Sequence, residues 1–362
     1  MILDYNTPES LEQHKECDMG APLLQNLTFN SNRRFGVELE ILAFDKKKRP
    51  EGDKMPKGTD HVVLLVKNNA EENVEARGYE HTKETTSWVV KPDSSCGLEI
   101  CSPPMRGWRG IRKVCQVVDA FQKDPKIEVN QTCSVHVHIE VADLTEAQVA
   151  NVIAYWVKCE PIFMDLVPAI RKRNRYCQLM GMTNLFEHDG TYTPRNIIDK
   201  VGEIKYFSMN SRCYKNGDRK TVEIRIIEGE GCKDPYLIKN WLRLILHFVE
   251  MTSKLPPPKP YTPGDAFSSL LWLDTKDVMT VLGFAPGQYE LSKGLTQTRN
   301  WMLARLMKFM TPDVERGPRW KAYEELKETL ASLQEEGVVV DPTEHLSPKD
   351  LADALYNDNL RF

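Results

Sequence analysis

The sequence has no C-x-x-C pair, no apolar run of membrane-spanning length, no excess of positive charge and no internal repeat. Nine cysteines stand at 17, 96, 101, 115, 133, 159, 177, 213 and 232, an odd count without metal-binding spacing. A disulfide framework or a cysteine zinc site is therefore not expected, and buried reduced thiols are. The most apolar helical stretch, Leu237 to Met251, is interrupted by Lys239, Arg243 and His247 and falls short of the ~20 residues that cross a bilayer. The N-terminal segment MILDYNTPESLEQHKECD is acidic and lacks an export pattern, so a cytoplasmic location is expected. A formal charge of −4 argues against a partner held by overall positive charge. Neither nucleic acid nor membrane is an expected partner.

What is there suits a globular chain. Its 362 residues are 41% hydrophobic and 28% charged, enough for one large domain with an appendage. Residues 1–32 read as a polar, acidic N-terminal arm, and 33–254 as the main domain. Residues 255–264, LPPPKPYTPG, form a stiff proline-rich linker. Residues 265–362 read as a helical extension. Its stripe Trp301, Leu303, Leu306 and Phe309 is expected to cover the main domain or to mediate homo-oligomerisation. Residues 46–60 read as an exposed loop. Apolar stripes predict helices over about 107–122, 145–166 and 234–252. The second begins at a capping region around Thr145 and the third at Asp234-Pro235.

The strands carry the chemistry. Successive side chains alternate faces along a strand. In Gly36-Val-Glu-Leu-Glu-Ile41 the apolar residues oppose Glu38 and Glu40. In Leu98-Glu-Ile-Cys101 they oppose Glu99. In Val135-His-Val-His-Ile-Glu-Val141 they oppose His136, His138 and Glu140. In Thr221-Val-Glu-Ile-Arg-Ile226 they oppose Glu223 and Arg225. The last is expected to pair with Phe207–Cys213 across a turn at Asn216-Gly217. Solvated faces mix Lys, Thr, Ser and Gln, whereas these four hold carboxylates, histidines and one arginine, with no lysine. Gathered on one surface, such carboxylates repel unless a cation sits among them. Hard oxygens with one or two imidazoles suit Mg²⁺ or Mn²⁺ better than zinc. A carboxylate face with an arginine beside it is also what nucleotide phosphates require. The run Arg171-Lys-Arg-Asn-Arg175 is either a solvated helix exit or a phosphate clamp.

In this order, F-G-V-E-L-E, W-V-V-K-P-D-S with a Glu six residues after the Asp, H-V-H, the R-x-R-x-R-Y run and T-V-E-I-R resemble the amidoligase family over about residues 33–253. These are carboxylate–amine ligases of the glutamine synthetase fold. The resemblance implies an α+β fold, a half-barrel of curved antiparallel sheet with helices on its convex face. Its concave face would hold ATP and Mg²⁺ or Mn²⁺. It implies Glu38, Glu40, Glu99, His136 and Glu223 as metal ligands and His138 as a substrate-side residue. Arg225 and Arg171 would contact the transferred phosphate, with Arg173 and Arg175 as rivals to Arg171. Asp93 stands at the family's D-x-S aspartate. The family's basic run begins Ser-Arg-Arg, where this chain has Ile170-Arg171-Lys172.

The activity so implied joins a small-molecule or peptide carboxylate to an amine. ATP first phosphorylates the carboxylate, because a carboxylate oxygen is a poor leaving group. His138 and Glu140 are placed to take the amine's proton. Rival readings are a non-catalytic nucleotide- or peptide-binding relative, a mononuclear iron or manganese H-x-H oxygenase, and a nuclease. The oxygenase needs a further histidine on the same face, and the nuclease a cationic track.

Overall fold

The computed structural model describes residues 26–29, 31–42, 58–70, 73–78, 86–172, 174–180, 193–217, 219–258, 273, 275–310, 328 and 331. Most of the expected arm, the 46–60 loop and much of the extension lie outside these residues. The strands are β1 (Asn26–Leu27), β2 (Arg34–Leu42), β3 (Val74–Ala76), β4 (Trp88–Asp93), β5 (Gly97–Cys101), β6 (Met105–Arg106), β7 (Val135–Glu140), β8 (Met209–Asn210), β9 (Thr221–Ile224) and β10 (Glu290–Leu291). The principal sheet runs β3-β4-β5-β2-β7-β9-β8, with β6 also on β2. Its ladders are antiparallel except β3 on β4, which is parallel, so the sheet is mixed at one edge rather than wholly antiparallel. β3 and β8 are its two ends among the described residues, which leaves the sheet open.

One face of this sheet is apolar, as period two dictates. Val37, Leu39, Ile41, Leu98, Ile100, Val135, Val137, Ile139, Val222 and Ile224 are each 1% exposed or less. Burial stabilises each by about 1.5–3 kcal/mol. The expected helices share this core: α2 (Gly107–Lys123) with Ile111, Val114 and Val118, α3 (Glu146–Met164) with Val149, Val152 and Trp156, and α7 (Pro235–Thr252) with Trp241, Leu244 and Phe248. Trp156 stacks on Phe163 at 4.7 Å, and Phe248 closes edge-on against both. Thr145 and Gln148 form a capping box on α3. Asp234 accepts the amides of Tyr236 and Leu237 at the start of α7, with Pro235 in the first turn. Gly110 lets α2 approach the sheet, since a Cβ there would lie 2.7 Å from Met105 Cβ.

Two local features differ from expectation. An unforeseen helix, α1 (Thr59–Ala70), follows the charged loop and buries Val62, Val66 and Ala70. The short helices α4 (Ala169–Lys172) and α5 (Pro194–Glu203) precede β8, and the hairpin partner of β9 is only Met209–Asn210, because Arg212–Lys215 (α6) coils into a helical turn. Gly217 follows that turn with φ +78°, a conformation glycine adopts without strain.

The extension continues the same core. Helices α8 (Thr275–Val281) and α9 (Lys293–Phe309) bury Val278, Trp301, Leu303 and Leu306, and β10 pairs in parallel with β1. Thus Trp301, Leu303 and Leu306 serve as cover for the main body. Arg305 of α9 donates to Glu228 Oε1 at 2.5 Å and to Leu166 O at 2.6 Å, while Lys172 Nζ donates to Phe309 O at 2.9 Å. The polar residues of α7 are absorbed here too. Arg243 lies 4.6 Å over the Trp108 ring and donates to Gln297 at 3.1 Å. His247 Nε2 donates to Leu282 O at 2.8 Å, its ring stacked 5.4 Å from Phe284. Among the described residues no helix is long and apolar enough to cross a membrane. The eight described cysteines are free thiols, and seven of them are buried.

Burial pushes the His247 imidazole down to about 4, so it is neutral in the folded chain and charges in the unfolded one below about 6.5. Its contribution is present above that value and is lost as pH falls toward 4, for at most about 3 kcal/mol. Urea unfolding from pH 7 to 4.5 is expected to show this loss, and His247→Gln to flatten that part of the profile.

Candidate metal centre

The opposite face gathers the ionisable residues, and strand register decides how. Directly opposed residues in a ladder point to the same side. Lys91 faces Glu99, and Glu99 faces Glu40. Glu38 faces Cys101 on one side and His136 on the other. His138 faces Gly36 and Glu223, and Glu223 faces Asn210. The residues singled out on β2, β5, β7 and β9 therefore lie on one surface of four adjacent strands. The lysine-free reading of this face is corrected by β4, which lies next to β5 and brings Lys91 onto it.

The side chains meet. His136 Nδ1 lies 3.1 Å from Glu38 Oε2 and 3.6 Å from Glu223 Oε1, and its Nε2 lies 3.7 Å from Glu40 Oε1. His138 Nε2 lies 3.2 Å from Glu38 Oε1. Ser134 Oγ donates to Glu40 at 2.6 Å, and Asn210 Nδ2 to Glu223 at 2.9 Å. Lys91 Nζ is 3.1 Å from Glu99 Oε1. Among the described residues, three sets bring ligand atoms within 4.8 Å of one another: Glu38, His138 and Glu223; Glu38, Glu99 and Cys101; and Glu40, Asp93 and Cys96. Asp93, which the sequence left without a role, also accepts the amides of Ser95 and Cys96, at 2.7 and 3.1 Å.

The charges are strongly interdependent. Burial works against ionising Glu38, but His138 and His136 overcome it and hold the carboxyl well below its usual range. Burial likewise opposes the His138 cation, but Glu38, with the Cys213 thiol and Glu223, together outweigh it and raise the imidazole well above its usual value. Glu223 is lowered despite burial, chiefly by Arg225. Glu99 is pushed up to about 7, first by burial and then by the charge of Glu38.

The basic residues separate. Arg225 Nη1 lies 3.2 Å from Glu223 Oε1 and donates to Lys205 O at 2.8 Å, while its buried Nε has no partner. Arg171 is 3% exposed, and its guanidinium donates to the carbonyls of Ile226, at 3.0 Å, and Arg225. Two of its guanidinium nitrogens thus hold the backbone that carries Arg225. Arg175 leans out over Tyr176, and Arg173 lies outside the described residues. Glu140 is bound by Arg34 at 2.5 Å, with Arg106 3.9 Å away, and Arg34 keeps its carboxyl low. That makes it a poor proton acceptor. Beside Glu38 and His138 a pocket of about 100 Å³ opens, bordered by Gly36, Arg34, Arg219, Lys220 and Thr221. The Thr221 hydroxyl is buried there without a partner.

Two carboxylates and an imidazole, as in the Glu38, His138 and Glu223 set, have the donor chemistry of a hard divalent cation. The unpartnered Arg225 Nε marks an incomplete polar arrangement beside it.

A family model described as "Putative amidoligase enzyme" matches residues 31–249. No curated protein sequence matches the chain. Among solved structures, the chain is similar to a bifunctional glutathione synthetase from Pasteurella multocida, at 11% identity and a TM-score of 0.35. That match covers 90% of this chain and 51% of the other, so the chain spans about half its length.

In metal-free protein the His138 titration, followed by histidine NMR, is expected above the ordinary imidazole range and to move down in Glu38→Gln. A titration unmoved by that substitution would mean Glu38 does not hold the proton.

Proposed function

The chain belongs to the amidoligase family, and from that premise we propose that it is an ATP-dependent carboxylate–amine ligase working through an acyl phosphate. The observation that carries this reading is the register that sets Glu38, Glu40, His136 and Glu223 side by side on neighbouring strands. The same reading takes the principal sheet as a glutamine synthetase-like half-barrel, its ionisable face concave. Residues 33–254 would be the catalytic domain and 265–362 an accessory segment beyond the proline run.

Glu38, Glu40, His136 and Glu223 would hold Mg²⁺ or Mn²⁺, which supplies neutralisation of phosphate oxygens, while Glu99, the fifth ligand that the resemblance implies, is paired with Lys91. An oxygen of the substrate carboxylate attacks the γ-phosphorus of ATP, the bond to the ADP oxygen breaks, and an acyl phosphate forms. The amine then attacks the acyl carbon, phosphate leaves, and the amine gives up a proton. Arg225 stabilises the equatorial oxygens of the moving phosphoryl group. Arg171 keeps Arg225 in place through two backbone carbonyls. The pocket rimmed by Arg34, Arg219 and Lys220 suits the triphosphate. With Glu140 engaged by Arg34, His138 is the better placed of the two to receive the amine's proton once a bound cation has engaged Glu38 and the imidazole has given up its own.

The oxygenase reading lacks its further histidine among the described residues. His247 is committed to Leu282 O, and His188 lies outside them.

ADP release is expected when Mg²⁺–ATP is offered with an amino-acid and polyamine panel, with the product identified by mass spectrometry. Glu38→Gln and Glu223→Gln should abolish turnover without unfolding the chain, and Arg225→Met should lower the rate on the order of 10²–10³-fold. Unchanged turnover in both glutamate variants would remove the metal-face assignment. Stabilisation by Mg²⁺–ATP without turnover would favour a non-catalytic binder, and stoichiometric iron the oxygenase.

A further inference from the structure

The ionisable face contains a cation that the ligase reading leaves idle. Lys91 is fixed opposite Glu99 by the β4–β5 ladder, and each residue is 9% exposed. Its ammonium lies 3.1 Å from Glu99 Oε1, and the Cys101 thiol donates to the same oxygen at 3.0 Å. Glu99 belongs to the Glu38, Glu99 and Cys101 corner, where ligand atoms stand within 4.8 Å of one another. A divalent ion seated there would have to share Glu99 with a buried ammonium group a bond-length or two away. Like charges so close and so poorly hydrated exclude one another. The other half of the face is arranged differently. Around Glu38, His138 and Glu223 the neutralising groups are imidazoles, which can surrender a proton and become ligands. A lysine ammonium has no free lone pair to offer.

We propose that Lys91 takes the place of one divalent cation, its ammonium filling the Glu38–Glu99–Cys101 corner so that metal binding is confined to the half of the face around Glu38, His136 and Glu223. The inference rests on reading the face as metal-binding. It makes Lys91 a specificity-determining residue for metal number and removes Glu99 from the ligands.

The test counts Mn²⁺ bound per chain without nucleotide, from the electron paramagnetic resonance signal of the free ion. Glu99→Gln is expected to bind as many ions as the wild-type chain. Lys91→Gln is expected to bind one more, and the double variant Lys91→Gln/Glu99→Gln to lose that gain. One fewer ion in Glu99→Gln, or no gain in Lys91→Gln, overturns the proposal. Should Lys91→Gln fail to fold by its circular-dichroism melt, Glu99→Gln decides alone. Glu223→Gln separates this from the broader reading. If it removes Mn²⁺ while Glu99→Gln also removes an ion, only the Lys91 proposal falls. If wild-type and Lys91→Gln chains bind no Mn²⁺, both fall.

Discussion

Carboxylates on neighbouring strands cannot all be ionised and half-buried unless positive charge is placed among them. Two unit charges about 4 Å apart interact by roughly 4 kcal/mol at the effective dielectric of a protein surface. Several such repulsions would rival the net stability of a domain. The arrangement around Glu38 answers this constraint. Two imidazoles lie within 3.2 Å of its oxygens, Arg225 lies against Glu223, and Lys91 against Glu99. Ser134 and Asn210 supply neutral donors to Glu40 and Glu223. In the absence of metal, His138, Arg225 and Lys91 carry the counter-charge.

The opposing face keeps this arrangement in place. Leu39, Val137 and Val222 cannot move to the polar side, because a slip of one residue would expose the whole apolar set and bury the glutamates against the helices. The hydrophobic effect therefore fixes the register, and the register fixes the distances between charges. The two faces of each strand are a single specification. The helices α2, α3 and α7 close the apolar side without contributing to the ionisable cluster.

The alternation on β2, β5, β7 and β9 could be read directly from the sequence, because period two needs only local information. So could the helix over Gly107–Lys123 and the capping of Glu146–Met164. Lys91 was hidden by its setting. Trp-Val-Val-Lys-Pro does not alternate, and Pro92 reads against a strand interior. Its partner is fixed only when the 93–97 turn brings β4 against β5. Arg171 was obscure for a different reason. Its contacts are carbonyls more than fifty positions away, and a basic run by itself does not distinguish a phosphate ligand from a brace for the backbone. The helix at Thr59–Ala70 was masked by the charged stretch before it, and its Leu64 faces outward, 58% exposed.

Arg305 ties α9 to Glu228, three positions past Arg225, and Lys172, one position past Arg171, is anchored to the carbonyl end of the same helix. The segment beyond the prolines thus grips both ends of the brace around Arg225. Severing the chain at the proline run would free that brace while leaving every acidic side chain of the face intact. The accessory segment then acts as a tensioner. Any shift of α9 is thereby passed on to the backbone that carries the Arg225 guanidinium, beside Glu223.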